Sequence, residues 1–134
     1  MALHPTHNMT LTVRGYELDS YGHVNNAVYV QYLEQARWEF IRDLGIYDEL
    51  DTHKLLLVIT ETNIRYLRES LLFDQLEIFS SFEIKSPFVV FHQKIFNKIS
   101  GLPVARATIK SVFVDQDRIP LDVPAFMYYP LEKE

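Results

Sequence analysis

The sequence predicts an α+β domain in which one long amphipathic helix is buried against an antiparallel sheet of about five strands. Three observations lead there. From Asn26 onward the apolar residues Tyr29, Tyr32, Leu33, Ala36, Phe40, Ile41 and Leu44 recur at the three-or-four-residue spacing of one helix face. After His53 the chain is strand-like, with turn signals at Ser86-Pro87 and Ser100-Gly101 where an antiparallel sheet needs them. At 134 residues the chain is one ordinary domain, so helix and strands are expected to share a single core over residues 1–134.

Residues 9–17 alternate, with Met9, Leu11 and Val13 set against Thr10, Thr12 and Arg14, as in a strand with one buried face. A polar loop follows, and within it Asn25 is well suited to cap a helix N-terminus. The helix should run to about Leu44, with Gly45 as its left-handed cap. On its surface Glu34 with Arg37 and Glu39 with Arg42 are attractive neighbours, and Glu39 with Asp43 a repulsive pair. Residues 46–53 read as a loop.

Residues 55–67 make one long strand, in which Thr60, Glu61, Thr62 and Asn63 interrupt an apolar run. Residues 72–85 make the next, with Leu76, Ile78, Ser80, Phe82 and Ile84 on one face and Glu77, Ser81, Glu83 and Lys85 on the other. Residues 88–98 and 103–115 complete the sheet, and Pro120, Pro124 and Pro130 make the tail irregular. His4 and His7 read as solvent-exposed residues of a frayed terminus, without a role.

A net charge of -5 and the lack of any Lys/Arg run argue against a nucleic-acid partner, because a phosphate-binding face needs a basic excess. With no cysteine there are no disulfides, no thiolate metal site and no Cys nucleophile. The first residues lack the charged start and apolar run of a secretion signal, and nowhere are there 18 consecutive apolar residues. The reading is a soluble, cytoplasmic protein that spans no membrane and needs neither metal nor cofactor.

The chemistry concentrates in residues 19–26. An acid (Asp19), an imidazole (His23) and two amides (Asn25, Asn26) fall within eight residues, at the start of a helix whose free backbone N–H groups favour negative charge. That combination suits a site that stabilises an anion beside a base. On the residues alone, a turn cap is the stronger reading of Asp19, as Asp often fills that role, and Gly22 could be a turn residue only.

The stretch YELDSYGHVNNAVYVQYLEQAR resembles the active-site signature of the 4-hydroxybenzoyl-CoA thioesterase family of hotdog-fold proteins, and NIRYLRESLLFDQLEI matches the family's second and third strands. Through ELDSYGHVNNAVY the chain is most similar to plant and cyanobacterial acyl thioesterases, including those acting on dihydroxynaphthoyl-CoA or fatty-acyl thioesters. The resemblance implies one long central helix wrapped by a curved antiparallel sheet, sheets joined edge to edge in a homodimer or homotetramer, and active sites at the subunit boundary. It also implies hydrolysis of an acyl-CoA or acyl carrier protein thioester. In that scheme Asp19 is the carboxylate that activates water or attacks the carbonyl, and the Asn26 backbone N–H faces the thioester oxygen. Gly22 allows close approach. For His23 the resemblance is looser: plant acyl carrier protein thioesterases have an acid and a His here with an Asn between them, where this chain has Tyr21, so His23 either orients the reacting groups or only bonds within the loop.

On the substrate side, Tyr29, Tyr32, Leu57 and Ile59 are expected to wall an apolar acyl pocket, although both tyrosines also suit the core. Glu61 is a reserve acid. Arg65, Arg68, Lys85, Arg106 and Lys110 are the cations available to the phosphates of a pantetheine carrier. Two other classes fit the same elements: a dehydratase or hydratase acting on acyl thioesters, for which His23 follows Asp19 too closely, and a binding module that holds an acyl chain without cleaving it.

Overall fold

The computed structural model describes residues 6–128. His4 and Pro130 lie outside them. Strand β1 (His7–Thr12) is followed by helices α1 (Asn26–Asp43) and α2 (Ile46–His53) and by strands β2 (Leu56–Tyr66), β3 (Gln75–Lys85), β4 (Phe88–Asn97), β5 (Pro103–Val114) and β6 (Pro120–Leu121). Among the described residues the sheet is antiparallel in the order β1-β3-β4-β5-β2, with the two-residue β6 added to β5. This is the hotdog arrangement, with α1 on the inner face.

Helix α1 starts and stops as its sequence requires. The Asn25 side chain accepts from the Ala27 N–H at 2.9 Å, and Gly45, at φ 80°, ends the run in the left-handed conformation that a glycine adopts without steric cost. Tyr32, Leu33, Ala36 and Phe40 are buried from this helix. Phe40 is its anchor, with ring centroids 5.7 Å from Phe82 of β3 and 6.4 Å from Phe91 of β4. The inward residues of β3 and β4 alternate with outward ones, so Ile78, Phe82, Phe91 and Ile95 complete the core.

Several expectations are corrected. Strand β1 ends at Thr12, and Gly15–Glu17 form a 3-10 turn rather than the strand's continuation. Strand β3 begins at Gln75, because the preceding turn is closed by the Asp74 carboxylate accepting from the Leu71 N–H at 2.9 Å. Residues 46–53 are helix α2, which buries only Ile46 and Leu50, one turn apart. Glu83, on the face of β3 opposite Ile78 and Phe82, is buried between Lys85 at 3.1 Å and His92 at 3.3 Å. The two expected attractive pairs on α1 act at a distance without closing into ion pairs: Glu39 and Glu34 favour the charged forms of Arg42 and Arg37, while Arg42 pairs with Asp43 at 2.9 Å and Arg37 donates to Gln93 Oε1 of β4 at 3.0 Å. His7 is no bystander, since its ring stacks on Phe40 with centroids 5.3 Å apart and its Nε2 meets Asp43 Oδ2 at 2.8 Å.

Strand β2 lies at the sheet edge and is exposed along most of its length. A bulge between Ile59 and Glu61 takes Thr60 out of register. Leu56, Val58 and Ile59 expose apolar surface on this edge, a combination that in a lone subunit invites pairing with another strand.

Candidate active site

Residues 18–24 form a small closed hairpin. Leu18 bridges Val24, the Asp19 N–H donates to the His23 carbonyl at 2.7 Å, and the Asn25 N–H returns to the Glu17 carbonyl at 2.9 Å. Ser20, Tyr21 and Gly22 are the tip, and Gly22 turns it with φ 81°. A Cβ at Gly22 would meet nothing within 4 Å, so glycine is needed there for its backbone conformation and not for space.

Inside this hairpin the half-buried Asp19 carboxylate is tethered by one oxygen. Its Oδ1 accepts from the Tyr21 N–H at 2.9 Å and the His23 N–H at 3.3 Å. Oδ2 takes no hydrogen bond from the described residues. Asp19 therefore does cap its turn, and the cap fixes the carboxylate's orientation with one oxygen to spare. The His23 ring turns away to pair with Glu69, so its backbone rather than its imidazole holds Asp19.

Asn26, the first residue of α1, follows directly. Its N–H belongs to the set that has no partner inside a helix, and its carbonyl accepts from the Tyr66 hydroxyl at 3.1 Å. That bond ties the end of β2 to the start of α1.

Sequence reasoning missed the residues beneath the loop. Glu17 is buried and accepts from the Arg14 N–H at 2.8 Å, the Arg14 Nε at 3.0 Å and the Tyr32 hydroxyl at 2.7 Å. Burial pushes its pKa upward, but the Arg14 and Tyr32 hydrogen bonds outweigh burial and hold it below the ordinary carboxylate value. Burial, with Glu17 alongside, pushes the Tyr32 hydroxyl well up, so it stays a donor. Ser70, fully buried, accepts from Val24 N–H with its carbonyl at 2.9 Å and from the Tyr29 hydroxyl with its Oγ at 3.0 Å. The Glu17–Tyr32 and Tyr29–Ser70 partners lie 15 and 41 residues apart in the chain, beyond the reach of any local pattern.

The expected acyl wall is split. Tyr29 and Tyr32 are core residues with committed hydroxyls, each 3% exposed. Leu57 and Ile59, by contrast, line a groove of about 520 Å³ between β2 and the helices, with Trp38 and Tyr47 on its other side. Glu61 stands opposite Lys110 on the outer face of the sheet, away from α1, so this chain's Glu61 does not share a site with Asp19. Arg65 also faces outward, opposite Arg106 of β5, which in turn stands opposite Lys94 of β4. The three cations flank a shallow cleft of about 270 Å³ that includes His92. Like charges directly opposite each other destabilise a sheet, so such a row favours an anionic ligand. Among the described residues no cluster of His, Cys, Asp or Glu could hold a metal ion, and no helix is long and apolar enough to cross a membrane.

The family model of the thioesterase-like superfamily matches residues 13–131. The chain is 36% identical over 106 residues to the long-chain acyl-CoA thioesterase FadM of Escherichia coli (strain K12), covering 78% of this chain and 80% of that one. It is 31% identical over 121 residues to the chloroplastic acyl-acyl carrier protein thioesterase ATL3 of Arabidopsis thaliana, covering 89% of this chain and 64% of the plant protein. Among solved structures, the YbaW probable thioesterase from Escherichia coli superposes with a TM-score of 0.85 at 32% identity, over 94% of this chain and 96% of that one. The signature around Asp19, the order of elements and these matches agree, and the chain belongs to the thioesterase-like superfamily.

Proposed function

We propose that this chain hydrolyses acyl thioesters with Asp19 as its reacting carboxylate. The observation that carries the reading is the geometry of residues 18–26: a carboxylate held by one oxygen, immediately ahead of a helix whose first N–H has no partner among the described residues. Water, deprotonated by the spare oxygen of Asp19, adds to the thioester carbonyl. The oxyanion that forms is stabilised by the Asn26 N–H and the positive end of α1, and such donors contribute about 3 kcal/mol to a transition state. Collapse expels the thiolate, which recovers the proton from Asp19. Direct attack by Asp19 would instead give a mixed anhydride that water then opens. Gly22 and His23 act as positioning residues, through the turn and through the His23 backbone.

Carrier phosphates are assigned to the cationic row at Arg65, Arg106 and Lys94, because Arg65 adjoins Tyr66, whose hydroxyl touches the Asn26 carbonyl. The acyl group is assigned to apolar surface that includes Leu57 and Ile59. Each buried methylene is worth about 0.8 kcal/mol, so medium-chain and aromatic acyl-CoAs should show much larger kcat/KM than acetyl-CoA, read as free thiol released. No thiol release from any member of the panel would exclude hydrolysis, and acetyl-CoA as the best substrate would exclude the apolar pocket. In the same assay the doubly substituted Arg65→Ala, Arg106→Ala protein should raise KM several-fold for a CoA thioester and leave a phosphate-free pantetheine thioester unchanged. An equal effect on both would remove the row from carrier binding.

The exposed edge of β2 is assigned to a second copy of the chain, giving a homodimer or a homotetramer in the cytoplasm. Light scattering at micromolar concentration should return one of those masses, and an active monomer would refute this assembly.

A further inference from the structure

Among the described residues one cation is set into the wall of an apolar groove on the helix side of the sheet. Arg37, on α1, is half-buried in the wall of the groove of about 520 Å³, beside Trp38 and facing Leu55, Leu57, Ile59 and Phe91. Of its five donors, one bonds the neutral Gln93 Oε1 at 3.0 Å. Gln93 is itself fully committed, its Nε2 donating to the Leu33 carbonyl and to Ser80 Oγ, both at 3.0 Å. Glu34, one helical turn away, forms no ion pair with Arg37, and no carboxylate lies within 4.0 Å of the guanidinium among the described residues. Burial lowers the Arg37 pKa, and the nearby charge of Glu34 offsets that only in part.

The groove also carries Glu34, Asp51 and Lys54, but Arg37 is the charged group set beside the apolar run of Leu55, Leu57, Ile59 and Phe91 with only a neutral hydrogen-bond partner, and that pairing suits an amphiphilic anion. We propose that this groove binds a free aliphatic carboxylic acid, with its carboxylate on Arg37 and its chain along Leu55, Leu57 and Ile59. The guanidinium fork matches a carboxylate with two parallel N–H···O bonds. The acid's chain shares the Leu57 and Ile59 surface assigned above to the acyl group but has its carboxylate on Arg37 instead of beside Asp19, so a hydrolysis product reaches this pose by release and rebinding. Only in identifying the acid as the protein's own product does this rest on the thioesterase reading.

Trp38 is the single tryptophan of the chain and lies in the groove wall, so its fluorescence reports occupancy without turnover. Titration with decanoate should change that fluorescence saturably, and decanol should bind more weakly. Arg37→Met, which keeps much of the length of the side chain, should lower decanoate affinity about tenfold or more and leave decanol unchanged. Arg37→Lys should recover part of the loss. Because Trp38 fluorescence reads binding alone, absence of thioester hydrolysis would overturn the proposed activity and leave this site standing. Equal binding of decanoate and decanol, equal loss of both in Arg37→Met, or no decanoate response at any protein concentration would each overturn the site.

Discussion

Asp19→Asn should lower kcat/KM for a medium-chain acyl-CoA by about 10²- to 10⁴-fold, the range that a positioned general base supplies. The fold should be unaffected. The asparagine side-chain oxygen can take over both bonds of Oδ1, from the Tyr21 and His23 N–H groups, so the hairpin keeps its shape. What is lost is the spare oxygen's negative charge and basicity. An unchanged thermal midpoint together with the loss in kcat/KM would assign Asp19 to the chemistry, whereas near wild-type turnover in the folded variant would reduce it to a turn cap.

Glu17→Ala should be among the most destabilising single changes in the chain, at about 2–4 kcal/mol. Part is the space left by a buried side chain, and part is the Tyr32 hydroxyl stranded in the core without its acceptor, which alone costs about 1–3 kcal/mol. The Arg14 contribution is discounted because that side chain is 51% exposed and water replaces its partner. Denaturant unfolding should show a lower midpoint with an unchanged slope. Adding Tyr32→Phe should cost much less in this background than in the wild type, and full additivity of the two changes would contradict the coupling. The Glu17 pKa is depressed in the folded state. Its contribution is therefore present above the unfolded value of about 4.5 and is lost as pH falls through the lower, folded one. Glu17→Gln should remove that part of the acid-side slope.

How far the molecule could be read beforehand depended on whether the governing interactions were local. Helix α1 was legible because its cap at Asn25, its apolar stripe and its stop at Gly45 all lie within one segment. The strands were legible from alternation and from the turns between them. Helix α2 was not, since Ile46 and Leu50 are a single pair of buried positions among polar residues, and one such pair does not separate a helix from a loop. The Asp19 loop was found from its residue types, yet the reason it holds still was hidden, because Glu17 and Ser70 are fixed by Tyr32 and Tyr29 from elsewhere in the chain. His7 was misjudged for the same reason: its partners, Phe40 and Asp43, arrive only when β1 docks on α1.

Apart from the two bonds accepted by Asp19 Oδ1, the hairpin around Asp19 is built from main-chain bonds: Asp19 to His23, Gly22 to Asp19, Val24 to Ser70 and Asn25 to Glu17. Main-chain groups are the same in nearly every amino acid, so the scaffold is indifferent to most of the side chains it carries. Substitutions of the exposed side chains of Ser20 and Tyr21 at the tip should therefore leave the carboxylate beside them in place. A loop tip whose side chains can change around a fixed carboxylate would give one fold a route to many ligands.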